Sequence, residues 1–178
     1  VKTLWEETEM ARVRLDEIDR HILKDLQANG RMTNVELAGR AGISAPPCLR
    51  RVRALETGGF IRGYHADLSP ELLGFDVIFF ALVGLESQAQ ERLRAFERMI
   101  TDWPEVRECH MVRGGGDFML KMLAHNTAHE NELTQKLTSA QDVVRVTTFP
   151  VIRTSKLEPG IPMDEAPVIG EADSAEAE

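Results

Sequence analysis

From Val77 to Arg153 the chain alternates between strand-like and helix-like apolar patterns: strand (77–86), helix (88–102), strand (105–113), strand (117–124), helix (127–139), strand (143–153). Leu93, Phe96, Ile100 and Trp103 recur at helical spacing in the first helix, and Thr127 with Glu130 predicts a capping box ahead of Leu133 and Leu137 in the second. Two βαβ halves of similar length fold as a ferredoxin-like sandwich, with both helices on one face of the sheet. An antiparallel sheet with one wet face alternates apolar and polar residues, yet every position from Val77 to Val83 is apolar. The second face is therefore expected to be covered, and a second copy of the chain is the economical cover.

Upstream, three short helices are expected. Leu15, Ile18, Ile22, Leu23 and Leu26 mark one that begins near Asp16 and stops at Asn29-Gly30. Thr33 and Glu36 form a capping-box pattern ahead of Val35, Leu37, Ala38 and Ala41, and Gly42 turns the chain out. Ser44 is placed to cap a third helix whose first turn holds Pro46 and Pro47, where missing amide donors cost little. With Cys48, Leu49, Val52 and Leu55 on one face, a hundred degrees per residue sets Arg50 opposite, and Arg51 and Arg53 on the flanks. This is the form of a helix-turn-helix whose third helix enters the major groove of double-stranded DNA. Ser44 and Pro47 stand at its entering end, and Arg50, Arg51 and Arg53 on its outer side. After Gly58-Gly59, Phe60 to His65 reads as a short strand, a wing or a hinge, ended by Ser69-Pro70.

The formal charge of −8 argues against nucleic acid only until its distribution is considered. Glu158 to Glu178 holds seven acids and no Lys or Arg, so the rest of the chain is nearly neutral. From Arg31 to His65, six arginines face two acids, Glu36 and Glu56. The acidic segment, with Pro159, Pro162 and Pro167, reads as a disordered, solubilising tail. At 178 residues and 43% apolar, the chain has material for two small cores. Its longest apolar run, Val77 to Leu85, is too short to cross a bilayer, and Glu6, Glu7 and Glu9 stand where a signal peptide would be basic. No membrane association and a cytoplasmic location are expected. Cys48 and Cys109 lack metal or redox spacing and read as small apolar residues.

Three other constellations are read as structural. Gly114-Gly115-Gly116 leads into a strand rather than the helix a phosphate cradle needs, so it reads as a hairpin turn. His125 and His129 are four apart but straddle the helix start and lack a third ligand, so no metal is expected. No nucleophile with a base, and no paired carboxylates in a cleft, suggest catalysis or a cofactor.

The sequence resembles the Lrp/AsnC (leucine-responsive, feast/famine) family of transcription regulators over residues 15 to 157. The likeness rests on Leu15-Asp16, Ile18-Asp19 and Ile22-Leu23; on Asn34-Val35-Glu36-Leu37-Ala38 and Gly42-Ile43-Ser44; and on the run from Cys48 to Glu56. Gly59 to Tyr64, Glu108-Cys109-His110 and Gly114 to Lys121 continue it. The resemblance implies an α+β protein with an N-terminal winged helix-turn-helix domain, a hinge strand and a C-terminal βαββαβ effector-binding domain. It further implies dimers assembling into tetramers or octamers, and amino acids as effectors. The family's helix-turn-helix segment falls on residues 34 to 53, which adds Asn34 to the DNA-binding set.

The same resemblance locates the effector at the turn Gly114, Gly115, Gly116, Asp117 and Phe118, with His110 before it and Thr148 and Phe149 on the last strand. The chemistry agrees: glycines let backbone amides approach a carboxylate, and Asp117 is able to accept from an ammonium group. Gly115 and Gly116 depart from the larger residues common in the family, and Pro150 predicts a bulge or an edge in the last strand. The expected division is an N-terminal extension (1–14), the DNA-binding domain (15–60), a hinge strand and linker (61–74), the effector-binding and oligomerisation domain (75–157) and the acidic tail (158–178). A non-enzymatic regulator is the reading. The rival is a tetrapyrrole decarboxylase of the sirohaem type, similar in its two domains, for which His110, Arg113 and Arg145 would hold propionates and move protons.

Overall fold

The computed structural model describes residues 15–163, which divide into two compact units: 15–66 together with 158–163, and 67–157. The N-terminal extension and residues 164–178 of the acidic tail lie outside the described residues.

The first unit holds α1 (Glu17–Ala28), α2 (Asn34–Arg40) and α3 (Ala45–Thr57). Local chemistry starts the first two. Asp16 caps α1 in a reciprocal box with Asp19, and Thr33 caps α2 in the box with Glu36 that the spacing predicts. Gly42, at a φ of +69°, makes the left-handed turn between α2 and α3. Ile22, Leu37, Ala38, Cys48 and Leu55 form the buried centre, and Leu26, Val52, Phe60 and Ile61 pack around it.

The expected strand at 60–65 is not formed. The amides of Phe60 and Ile61 both donate to the Leu55 carbonyl, at 3.0 and 3.2 Å, so they close the end of α3 and are unavailable to a sheet. The expectation for the tail also changes where it can be seen. The Gln27 side chain donates to the Ile161 carbonyl at 2.8 Å and accepts from the Ile161 amide at 3.0 Å, holding residues 158–163 in this unit.

In the second unit β1 (Val77–Leu85), β2 (Val106–Met111), β3 (Phe118–Ala124) and β4 (Val143–Pro150) form an antiparallel sheet in the order β2-β3-β1-β4. α4 (Gln90–Thr101) and α5 (Thr127–Thr138) complete the ferredoxin-like layout. Alternate residues of β1 and β3 build the core: Phe79, Ala81, Val83, Phe118, Leu120 and Met122 are fully buried with Phe96, Ile100, Leu133 and Leu137 from the helices. Pro150 ends β4, which is an edge strand, where a missing amide is tolerated. The irregular register falls instead at Gly84/Leu85. α5 is capped by Asn126, whose side chain accepts from the His129 amide at 3.0 Å, and not by Thr127. Asn is the better cap, and it stands one residue earlier. The residues of β1 between the core positions, Ile78, Phe80 and Leu82, are only half-buried, so this sheet face has no layer over it within the unit. Cys48 is buried as expected; Cys109 is exposed on β2.

Candidate nucleic-acid interface and effector loop

The three arginines of α3 differ in what they touch. Arg51 is half-buried, and its Nη1 lies 2.7 Å from both Asp16 Oδ2 and Asp19 Oδ1 on α1. The Asp19 amide, with Arg51 beside it, holds the Asp16 carboxyl below the usual carboxylate range. Arg51 therefore ties α3 to α1, a correction to its expected place in the groove. Arg40 does the same for α2: Nε and Nη2 make a bidentate pair with the nearly buried Asp25, at 2.8 and 2.7 Å, and hold that carboxyl low. Arg50 and Arg53 stand exposed, with no ion-pair partner among the described residues.

At the entering end, Ser44 occupies the N-cap of α3 but its hydroxyl makes no capping bond. An N-cap side chain accepts from the second or third helical amide, and here those residues are Pro46 and Pro47. The hydroxyl stays exposed and uncommitted. Pro47 is half-buried in the same turn. Asn34 faces inward: its Nδ2 donates to the Ala45 carbonyl at 2.8 Å, joining the start of α2 to the first turn of α3. It sets the angle between the two helices rather than reaching outward. Leu49, expected on the inner face, is 39% exposed and lines a shallow groove with Leu26, Val52 and Tyr64.

The effector set expected in the second unit is divided by the pleat. Phe118 is fully buried and stacks on Phe96 with centroids 4.8 Å apart, so it is a core residue and not a ligand contact. Thr148 pairs with Ala81 on the helix-covered face, whereas Phe149 pairs with Phe80 on the open one. His110 is on the open face too, opposite Met119, with Nε2 3.2 Å from Glu108 Oε2; Lys121 Nζ lies 2.8 Å from Glu108 Oε1. His110 and Phe149 share the open face but stand on β2 and β4, the two edges of the sheet with β3 and β1 between them, and Phe118 and Thr148 point to the other face.

Asp117 is committed as well. Its carboxylate accepts from the buried Leu85 amide at 2.7 Å and from Gln88 Nε2 at 2.8 Å, which fastens the glycine turn to the end of β1. Each oxygen already holds a protein donor and the residue is nearly buried, so its duty in the free protein is structural. Gly114, at a φ of +126°, admits the turn, and a Cβ on Gly116 would sit 2.8 Å from the Leu82 side chain and 3.0 Å from the Val83 carbonyl oxygen. From β4, the Arg145 guanidinium crosses Gly84 and donates to the Gly115 carbonyl. The amides of Gly114, Gly115 and Gly116 have no partner among the described residues. The turn thus presents free donors and one cation at the end of the open face, beside Leu82. Arg145 was reached from sequence only through the rival enzyme reading, because its approach to the turn depends on strand register.

The histidine pair is structural in its surroundings. His125 stacks between Phe75 and His129, with centroids at 4.4 and 5.1 Å, and its Nδ1 lies 2.6 Å from the Gly74 carbonyl oxygen. Among the described residues no group of three or more His, Cys, Asp or Glu could hold a metal, and no helix is long and apolar enough to cross a membrane.

Comparison with known proteins matches residues 15–62 to the winged helix-turn-helix DNA-binding model and residues 78–161 to the Lrp/AsnC ligand binding domain. A leucine-responsive regulatory protein of Rhizobium meliloti is 49% identical over 148 residues, covering 83% of this chain and 95% of that protein. The chain belongs to the Lrp/AsnC family. Among solved Lrp/AsnC-like structures, a transcriptional regulator of Neisseria meningitidis in complex with L-Met superposes with a TM-score of 0.80 at 33% identity, covering 84% of this chain and 97% of that one. An AsnC family transcriptional regulator of Agrobacterium tumefaciens gives 0.79 at 27% identity, covering 84% and 98%. This Lrp/AsnC chain is accordingly a transcriptional regulator with a DNA-binding helix-turn-helix and a ligand-binding domain.

Proposed function

We propose that this regulator reads double-stranded operator DNA with α3 and responds to an amino acid bound at the glycine turn, acting in the cytoplasm and without catalysis of its own. One observation carries the DNA-reading part: of the arginines on α3, Arg50 and Arg53 remain exposed and unpaired while Arg51 is used internally. Ser44 contributes its free hydroxyl at the entering end of the helix. Donors that are idle in the free protein are suited to phosphates and guanine edges.

The effector reading is supported by the free amides of Gly114 to Gly116 and by Arg145, which suit a carboxylate, and by the L-Met bound to the Neisseria relative. His110, close before the turn, remains in this proposed site; Phe149, on the opposite edge strand, and Phe118, Thr148 and the carboxylate of Asp117 do not. The half-buried face of Ile78, Phe80 and Leu82 is assigned to self-association, first as a dimer and then as tetramers or octamers. Residues 15–60 form the proposed DNA-binding domain, 61–74 the linker and 75–157 the effector and assembly domain. A thermal-shift screen against the common amino acids tests the effector reading. A ligand selective for the folded state raises Tm by mass action, and a screen in which none does so contradicts it.

A further inference from the structure

The helix-turn-helix unit carries a second feature that DNA binding does not explain. Gln27, on the exposed side of α1, uses its carboxamide as a two-pronged clamp on the backbone of Ile161. The fit is specific to glycine at the preceding residue. Gly160 has a φ of +99°, and a Cβ there would fall 2.3 Å from Gln27 Cδ and 2.4 Å from its Oε1. Residues 158–163 are thereby placed in the same compact unit as α3. The next fifteen residues, 164–178, contain Asp164, Glu165, Glu171, Asp173, Glu176 and Glu178, and no Lys or Arg.

From these observations we infer that the acidic segment is an intramolecular competitor for the DNA-reading surface, anchored in the same compact unit by the Gln27–Ile161 clamp. Its charge is opposite to that of Arg50 and Arg53. Its length suffices: fifteen residues span at most about 50 Å when extended, whereas a unit of this size has a radius of about 10 Å. Tethering also holds the acids at millimolar effective concentration near the arginines, so weak ionic attraction is enough to compete. Duplex DNA, with its denser phosphate charge, displaces the segment at a cost in apparent affinity. The segment would act as a threshold, discouraging weak non-specific sites more than good ones. This rests on the reading of α3 as the DNA-binding helix.

The test uses three full-length proteins: the parent, a variant with those six acids changed to Asn or Gln, and Gln27→Ala, which keeps the net charge. Binding to a short fluorescein-labelled mixed-sequence duplex is followed by anisotropy from about 50 mM to about 200 mM salt. The neutralised protein is expected to bind about tenfold more tightly than the parent at the low end, with the gap closing as salt screens the acids. Gln27→Ala is expected to bind more tightly too, by a smaller factor, with unchanged sedimentation. Equal binding by parent and neutralised protein overturns the inference while leaving α3 as the reader. A gain on neutralisation with none in Gln27→Ala overturns the anchored mechanism, since charge alone would then explain it. Absence of duplex binding by all three overturns both this inference and the reading of α3.

Discussion

Arg50 and Arg51 are neighbours in sequence with different surroundings, one exposed and one paired with α1, so their alanine variants should separate binding from stability. Arg50→Ala, like Arg53→Ala, should keep the parent's Tm and lose roughly 1 to 3 kcal/mol of operator affinity if it reads a base. If it contacts phosphate it should lower the salt slope by about one. Arg51→Ala should lower Tm, because Asp16 and Asp19 lose their shared cation. Melting curves beside anisotropy titrations decide this; a Tm loss confined to Arg50→Ala would reverse the assignment. Asp117 behaves like Arg51. Its replacement by alanine strips the buried Leu85 amide of its acceptor and should cost about 1 to 3 kcal/mol in denaturant unfolding. Unchanged stability would show that the carboxylate is free for a ligand after all.

At the scale of elements, carboxylates on α1 latch the other two helices, and this sets the acid response of the first unit. The carboxyls of Asp16 and Asp25 titrate below their ordinary range when folded, so the unfolded chain takes up protons first as pH falls. Their stabilisation is complete above about pH 4, the unfolded carboxylate range, and is lost as pH falls through the lower folded values. Arg40→Ala should therefore melt below the parent at neutral pH and converge with it in strong acid, as followed by circular dichroism. A constant gap down to the lowest pH would exclude the latch.

The elements themselves were legible because their signals are local. The Thr33–Glu36 box needs three residues of separation, and Leu93, Phe96 and Ile100 mark one helix face. Where two local signals competed, as with Asn126 and Thr127, the boundary moved by one residue. The strand expected at 60–65 failed to a competing local signal, the closure of α3: the Leu55 carbonyl takes both its leading amides. The sites were less legible, since they depend on pairings distant in sequence. Arg51 meets residues 35 and 32 positions away, and the division of Phe118 and Thr148 from His110 and Phe149 follows from strand register.

For the whole molecule, self-association through the open sheet face would couple the two proposed activities. A dimer built on Ile78, Phe80 and Leu82 would present two α3 helices to DNA, and the glycine turn rests against Leu82 at the end of that same face. Phe80→Glu should give monomers or insoluble protein by sedimentation, with operator affinity reduced; a soluble dimer would place the interface elsewhere. The most direct measurement of the central claim is anisotropy of a labelled duplex from the promoter of the protein's own gene, titrated across salt with and without methionine or leucine. The account predicts strongly salt-dependent binding whose midpoint or cooperativity moves with an amino acid, and in which Arg50→Ala is impaired. Binding indifferent to salt and to Arg50→Ala, or to every amino acid tested, would contradict it.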